Sequence, residues 1–296
     1  MKTMTLETVT KACKGTYFGP EEKKSRTIEG AVIDSRLVEK DYLFIPVKGE
    51  NVDGHKFIPQ VFEKGAAAVL SEKPLDPGME PYILVDSTLQ ALKDIAEYYR
   101  STLKIPVIGI AGSVGKTSTK EMIASVLSQK YRVLKTEGNF NNEIGLPLTL
   151  LRIRDEHQAA VVEMGISDFG EMHRLAKMAR PDICVMTNIG LCHLENLKSR
   201  DGILKAKSEI FDFLKPEGKI ILNGNDDKLS TIQEVKGIRP IRYFVEDGTA
   251  PKGDEEYFVT ASDIENLGLK NENDPYAYKI QKLGKKYLLL QKVALS

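Results

Sequence analysis

Apolar positions follow two different rhythms along the chain, and the change between them divides the sequence. Up to about residue 104 the apolar runs are short. Ala31–Ile33, Tyr42–Pro46, Gly65–Leu70 and Ile83–Val85 read as strands, and Phe57–Glu63 reads as a helix. The stretch Lys73–Pro81 (KPLDPGMEP), rich in proline, must be loop. Leu89, Leu92, Ala96 and Tyr99 then recur at helical spacing, in a helix expected to end near Lys104, before Pro106. From Pro106 the rhythm becomes strand, helix, strand, helix. Val107–Ala111, Ala159–Val162, Ile183–Thr187 and Lys219–Leu222 read as buried strands. Met122, Ile123, Val126 and Leu127 mark one face of a helix, and Phe169–Ala179 and Ser199–Leu214 read as two more. Continuous apolar strands alternating with helices predict a mostly parallel sheet with helices on both faces. The expected fold class is therefore α/β: a small N-terminal α/β domain over 1–104, then the parallel-sheet domain over 105–296. Past Val245 the character changes to polar loop, and Tyr276–Ile280 and Tyr287–Leu290, joined by Lys282–Lys286, are expected to form a terminal β-hairpin.

Composition narrows the function classes. Lys and Arg number 42, and Asp and Glu also 42, so the formal net charge is zero. That argues against a nucleic-acid or membrane binder working by bulk electrostatics. Cys13, Cys184 and Cys192 are widely spaced and form neither a zinc pattern nor a disulfide framework, which fits a reducing cytoplasm. The N-terminus has no apolar signal core, and no stretch reaches the length of a membrane span.

The strongest chemical signal is VIGIAGSVGKTSTKE, Val107–Glu121. A buried strand runs into a glycine-rich turn, then Lys-Thr, then a helix. Backbone N–H groups of such a turn, with the helix N-terminus, cradle phosphate oxygens. Gly112, Ser113, Gly115, Lys116, Thr117 and Ser118 are the candidate phosphate ligands. Lys116 is expected to reach the β- and γ-phosphates, and Thr117 to offer its hydroxyl to Mg²⁺. The loop is a short variant, because the usual first glycine position is Ile110. The parallel sheet is thus expected to be of the P-loop type.

Other polar residues follow strands at the carboxyl edge, where open α/β sheets bind ligands. Glu163 directly follows AAVV and reads either as a Mg²⁺ partner or as a solvated strand-end charge. His193, a few residues after ICVMTNI, is either a site residue or an ordinary loop histidine. Lys207 falls within the buried stripe formed by Ile203, Ala206, Ile210, Phe211 and Leu214. A lysine there needs a partner or a function, or it snorkels to water. Asn139, Asn141 and Asn142 either bind substrate or cap a helix. Asp34-Ser35-Arg36 and Asp53-Gly54-His55 look like turn chemistry. His157 and His173 read as surface residues.

Taken together, AGSVGKTSTKE, TEGNFNNEIGLPLTLL, EMG, NIGLCHLENLKSRDGILKAKSEIF and the N-terminal block DSRLVEKDYLFIPVKGENVDGHKF resemble the Mur ligases. Within that family they resemble the type that adds D-alanyl-D-alanine. The resemblance spans roughly residues 25 to 265. It implies an ATP- and Mg²⁺-dependent amide ligase that adds D-alanyl-D-alanine to UDP-N-acetylmuramoyl-tripeptide through an acyl phosphate, in cytoplasmic peptidoglycan precursor synthesis. By position it implies that Lys116 and Thr117 hold ATP phosphates and the first metal ion. Glu163 shares in metal binding and His193 contacts a second metal ion. Lys207 matches a lysine that is carbamylated in related ligases, which turns an amine into an oxygen ligand. Ser35, Arg36 and Asn142 contact the uridine-nucleotide substrate, and Asn223 and Asp226 lie near ATP. Residues 1–104 are then a UDP-sugar-binding domain and 105–296 an ATP-binding domain. Family members run on for a further domain that this chain is expected to lack, so a non-catalytic protein binding ATP or UDP-muramoyl peptide is the alternative. A relative acting on another carboxylate is a third reading, opposed by the DSR and DGH blocks. A monomer is expected.

Overall fold

The computed structural model describes residues 1, 4–49, 52–245, 258–266 and 278–283. Helix α1 (Leu6–Ala12) precedes strands β1 (Thr16–Phe18), β2 (Gly30–Val32) and β3 (Tyr42–Phe44). Helix α2 (Ile58–Glu63), strands β4 (Ala68–Ser71) and β5 (Tyr82–Leu84) and helix α3 (Thr88–Thr102) follow. Then come β6 (Val107–Ala111), α4 (Lys116–Ser128), β7 (Val133–Lys135), α5 (Gly145–Leu150), β8 (Ala159–Glu163), α6 (Glu171–Ala179) and β9 (Ile183–Met186). Helices α7 (Leu194–Leu197) and α8 (Arg200–Ser208) lead to β10 (Lys219–Asn223), β11 (Ile241–Val245), β12 (Phe258–Asn266) and β13 (Tyr278–Leu283).

The chain divides into two compact units. The first comprises Met1–Ile105, Tyr131–Val162 and Lys177–Arg180. Its N-terminal sheet runs in the order β1-β5-β4-β3-β2, with only the β1 edge antiparallel. Apolar side chains of β3, β4, β5 and α2 meet in a core of Val38, Phe44, Ile58, Val61, Ala66, Val69 and Tyr82. Strands β7 and β8 pair in parallel, Val133 opposite Ala159.

Helix α3 shows why this unit is ordered. The Ser87 hydroxyl caps it by accepting from the Gln90 N–H, and Ala91, Leu92, Ile95, Ala96 and Tyr99 form its buried stripe. Polar ends along that stripe are satisfied: the Tyr99 hydroxyl donates to the Ile153 carbonyl, and the buried Arg100 donates to the carbonyls of Ala179 and Arg180. Those last two are orphan acceptors at the end of α6, so the guanidinium acts as a C-terminal cap. Leu92→Ala should lower stability by about 2–5 kcal/mol in urea unfolding, the range for a buried leucine.

The second unit comprises Pro106–Lys130, Glu163–Ala176 and Pro181–Ser296. Its strands lie in the order β13-β12-β11-β10-β9-β6. All pair in parallel except β12 with β13. This is the mostly parallel α/β sheet flanked by helices that the alternating pattern predicts. The terminal hairpin differs from expectation. Tyr278–Leu283 is a strand, but its antiparallel partner is Phe258–Asn266, and strand structure continues into Lys282 and Leu283 where the turn was expected. Tyr287–Leu290 and Gly284–Lys286 lie outside the described residues. Strands β1, β11 and β12 differ from expectation, β1 being too short for a periodic signal.

The apolar face of α4 also needs correction. Met122 and Val126 are exposed, and the buried positions are Lys120, Ala124 and Leu127. The glycine-set start of the helix fixes its rotation, so position relative to the loop overrides the apolar pattern.

Candidate functional site

The carboxyl end of β6 opens into Gly112–Gly115, which turns directly into α4. Gly112 has φ +149°, and a Cβ there would lie 1.9 Å from Thr187 Oγ1. Gly115, the N-cap of α4, has φ +80°. Both positions therefore demand glycine, the first by close approach as well as by backbone. Gly112→Ala should destabilise the chain by about 2–4 kcal/mol in urea unfolding and weaken any phosphate ligand bound by the loop.

The loop is strapped to the segment following β9. The Ser113 N–H donates to the Asn188 carbonyl at 3.0 Å, and the Val114 N–H to Asn188 Oδ1 at 3.1 Å. The Gly190 N–H donates to Ser113 Oγ at 2.9 Å, and the Thr187 hydroxyl donates to the Val114 carbonyl at 2.6 Å. The Lys116 amine folds back over the loop, donating to the carbonyls of Gly112 at 2.9 Å and Ser113 at 3.3 Å. It is thus stationed on the Gly112–Gly115 loop itself.

One residue on, the Thr117 hydroxyl donates to Glu163 Oε2 at 2.9 Å. Glu163 ends β8 and is only 3% exposed, so the solvated-charge reading does not describe it. A buried carboxylate touching a hydroxyl at the mouth of a phosphate loop is a pair of hard oxygen donors suited to Mg²⁺. Among the described residues no cluster of three or more His, Cys, Asp and Glu could hold a metal ion by itself. A metal here needs phosphate or further oxygen donors to complete its shell.

Lys207 is 1% exposed on α8, among Ile203, Ala206, Ile210 and Phe211, so snorkelling does not describe it. Burial pushes its amine down to about 8; the Cys192 thiol opposes the shift and the Lys116 charge adds to it. The two lysines therefore lie within electrostatic reach of each other. Near neutral pH a larger share of this amine is uncharged than for an ordinary lysine, and the uncharged amine is the form that adds CO₂. Cys192 touches the phosphate loop, with Sγ 3.2 Å from Ser113 Oγ. The next residue, His193, is exposed, has φ +51° and starts α7.

Asn223 and Asp226 brace this region through the backbone. Asn223 Nδ2 donates to the Thr187 carbonyl at 2.9 Å. Asp226 accepts from the N–H groups of Ile189, Lys228 and Leu229, using both carboxylate oxygens. Ser118 sits half-buried in the first turn of α4.

The remaining candidates belong to the first unit. Asp34 caps a 3₁₀ turn over Ser35–Leu37, its side chain accepting from the Arg36 N–H at 2.9 Å. The Arg36 guanidinium, 86% exposed, grips the Asp34 carboxylate and holds it down to about 2. The side chain of Ser35 is buried. Asn142 Oδ1 accepts from the N–H groups of Ile144 and Gly145, the capping alternative for an asparagine at a helix start. Asp53 Oδ1 lies 2.6 Å from His55 Nδ1, while the Glu72 N–H donates to His55 Nε2. The ring therefore carries its proton on Nδ1.

Sequence reasoning missed Lys120, which heads the buried stripe of α4 at 2% exposure, 3.2 Å from the Glu121 carboxylate. Lys120-Glu121 stood in the loop motif, but the apolar pattern drew attention to the wrong face.

With this geometry in hand, comparison with known proteins is informative. Residues 110–288 match a family described as Mur ligase middle domain, and residues 27–100 one described as Mur ligase family, catalytic domain. The UDP-N-acetylmuramoyl-tripeptide--D-alanyl-D-alanine ligase of Bacillus subtilis (strain 168) is 47% identical over 227 residues, covering 76% of this chain and 50% of that protein. The ligase of the same name from Escherichia coli (strain K12) is 36% identical over 244 residues, covering 82% and 53%. A crystal structure of MurF from Acinetobacter baumannii superposes with TM-score 0.75 at 34% identity, over 88% of this chain and 56% of that one. A MurF ligase from Thermotoga maritima in complex with ADP gives TM-score 0.66 at 33% identity, over 73% and 50%. The chain spans about half the length of the curated relatives it matches.

Proposed function

Since this chain belongs to the Mur ligase family, we propose that it takes part in ATP-dependent ligation of D-alanyl-D-alanine to UDP-N-acetylmuramoyl-tripeptide, the reaction for which its relatives are named. The observation that carries the reading is the hydrogen bond from Thr117 to the buried Glu163 beneath the Gly112–Lys116 loop. It sets a hard-cation pair against a phosphate cradle. The ADP complex of the Thermotoga maritima relative supports nucleotide use.

In this reading the N–H groups of Gly115 and of the first turn of α4 bind the ATP phosphates, while those of Ser113 and Val114 are held by Asn188 and fix the loop. Lys116 leaves its loop carbonyls and neutralises charge on the transferring group. Thr117 and Glu163 would hold Mg²⁺; Lys207, once carbamylated, would add an oxygen ligand, and His193 would contact a second ion. Bound there, the metal supplies charge neutralisation between two anionic reactants. Transfer of the γ-phosphoryl group to the tripeptide carboxylate, a poor electrophile by itself, releases ADP and forms an acyl phosphate; the dipeptide amine attacks its carbonyl, loses a proton and expels phosphate. Asn223 and Asp226 serve the nucleotide through the backbone they brace. Residues 1–104 form the UDP-sugar-binding domain, with Ser35 and Arg36 toward the substrate, and residues 105–296 the ATP domain, from which Asn142 serves the same substrate. Both work in the cytoplasm as a monomer. No helix among the described residues is long and apolar enough to cross a membrane.

The test is mass spectrometry of the chain with ATP, Mg²⁺, UDP-N-acetylmuramoyl-tripeptide and D-alanyl-D-alanine. A new UDP-muramoyl-pentapeptide, lost with Lys116→Ala, is the expected result. A folded chain that yields none overturns ligation by this chain, and a nucleotide titration then shows whether binding without turnover stands.

A further inference from the structure

The backbone of Ile189 is held on both sides, at its N–H and at its carbonyl, by side chains from elsewhere in the second unit. Its N–H donates to Asp226 Oδ2 at 2.9 Å, and its carbonyl accepts from Arg200 Nε at 2.9 Å. Arg200 is the first residue of α8, the helix that carries Lys207 two turns further on. The other face of the guanidinium grips Asp227, with Nη1 2.9 Å from Oδ2 and Nη2 on Oδ1. Arg200 thereby fastens three things at once: the start of α8, the loop after β10 and the segment Thr187–Gly190. That segment is the strap of the phosphate loop, since Asn188 and Gly190 on either side of Ile189 are the groups bonded to Ser113 and Val114.

We propose that Arg200 is a positioning residue for nucleotide binding: it holds the Ile189 peptide so that Asn188 and Gly190 keep the phosphate loop open in its binding shape. The inference rests on the nucleotide reading above. The planar fork of arginine is what the arrangement uses, because one group must serve a carbonyl and two carboxylate oxygens in fixed directions. A lysine can serve the carboxylate but not the carbonyl in the same pose. As a mere surface ion pair, at 33% exposure, Arg200–Asp227 would contribute little to stability and nothing to ligand affinity.

The experiment is calorimetric titration of ADP into four proteins: the unchanged chain, Arg200→Ala, Arg200→Lys and Lys228→Ala. The last removes a neighbouring ion pair, Lys228–Asp201, that does not touch the strap. Urea unfolding of each is measured in parallel. Arg200→Ala is expected to weaken ADP about tenfold, with its unfolding midpoint little moved, Arg200→Lys several-fold, and Lys228→Ala not at all. If the unchanged chain binds ADP and both Arg200 variants bind it equally well, the positioning role is overturned while the nucleotide reading survives. Equal weakening in Lys228→Ala overturns it too, since general loosening then accounts for the effect. If the unchanged chain does not bind ADP, the nucleotide reading falls and this inference with it. Should Arg200→Ala not fold, Arg200→Lys decides alone.

Discussion

In the proposed ligation, Lys116→Ala should lower turnover by about 10²–10³-fold, the effect of removing one preorganised charge from a developing transition state. The amine now rests on two loop carbonyls that hold it on the loop without immobilising it in a salt bridge. Replacing it leaves the half-buried Ser113 carbonyl to water and the buried Gly112 carbonyl short of one donor, so folding should lose at most about 1 kcal/mol. The loss is therefore expected in kcat/KM and in ADP affinity, with circular dichroism preserved and the unfolding midpoint little moved. Equal turnover by the variant would remove Lys116 from the mechanism.

Lys207→Met should raise stability while abolishing the proposed ligation. In the unfolded chain the amine has its ordinary value of 10.5, and in the fold burial brings it to about 8. Between these values the unfolded chain holds more protons, so stability rises with pH across that window; below about 8 the full penalty is present. A shift of that size corresponds to about 3 kcal/mol, on the order of 1.4 kcal/mol per unit. Methionine fills similar space without the charge. Urea unfolding at pH 7 should show the variant more stable by about 1–3 kcal/mol, with the gain shrinking toward pH 10. A variant no more stable at pH 7 would mean that the ammonium is compensated in the fold. A buried residue that weakens its own fold is retained for another reason, and the oxygen ligand it becomes on carbamylation is that reason in the proposed mechanism.

How legible was this in the sequence? The strand–loop–helix at 107–121 was, because a run of apolar residues, two glycines and Lys-Thr each report a local requirement. The buried position of Lys207 was also legible, since Ile203, Ala206 and Ile210 define a stripe at helical spacing. The bracing was not. Asn188 and Gly190 act on Ser113 and Val114 through backbone groups, and Arg200 acts on a carbonyl; backbone partners leave no residue-type signal. Asp226 shows the converse. Its place in ILNGNDD, near the nucleotide by resemblance, does not reveal that both its oxygens accept from backbone N–H groups. The rotation of α4 escaped because Met122 and Val126 satisfy an apolar periodicity while lying outside, and Lys120 breaks it while lying inside.

The contact between Gly112 and Thr187 makes the history of these two positions depend on sequence of events. Any side chain at 112 collides with the threonine hydroxyl, so it can be accepted only after position 187 has shrunk. Yet shrinking 187 first removes the hydroxyl that donates to the Val114 carbonyl. Each single step is harmful, and the double change relieves the collision but not the backbone strain at φ +149°, so a library varying both should show epistasis between sites 75 residues apart without freeing position 112 from glycine.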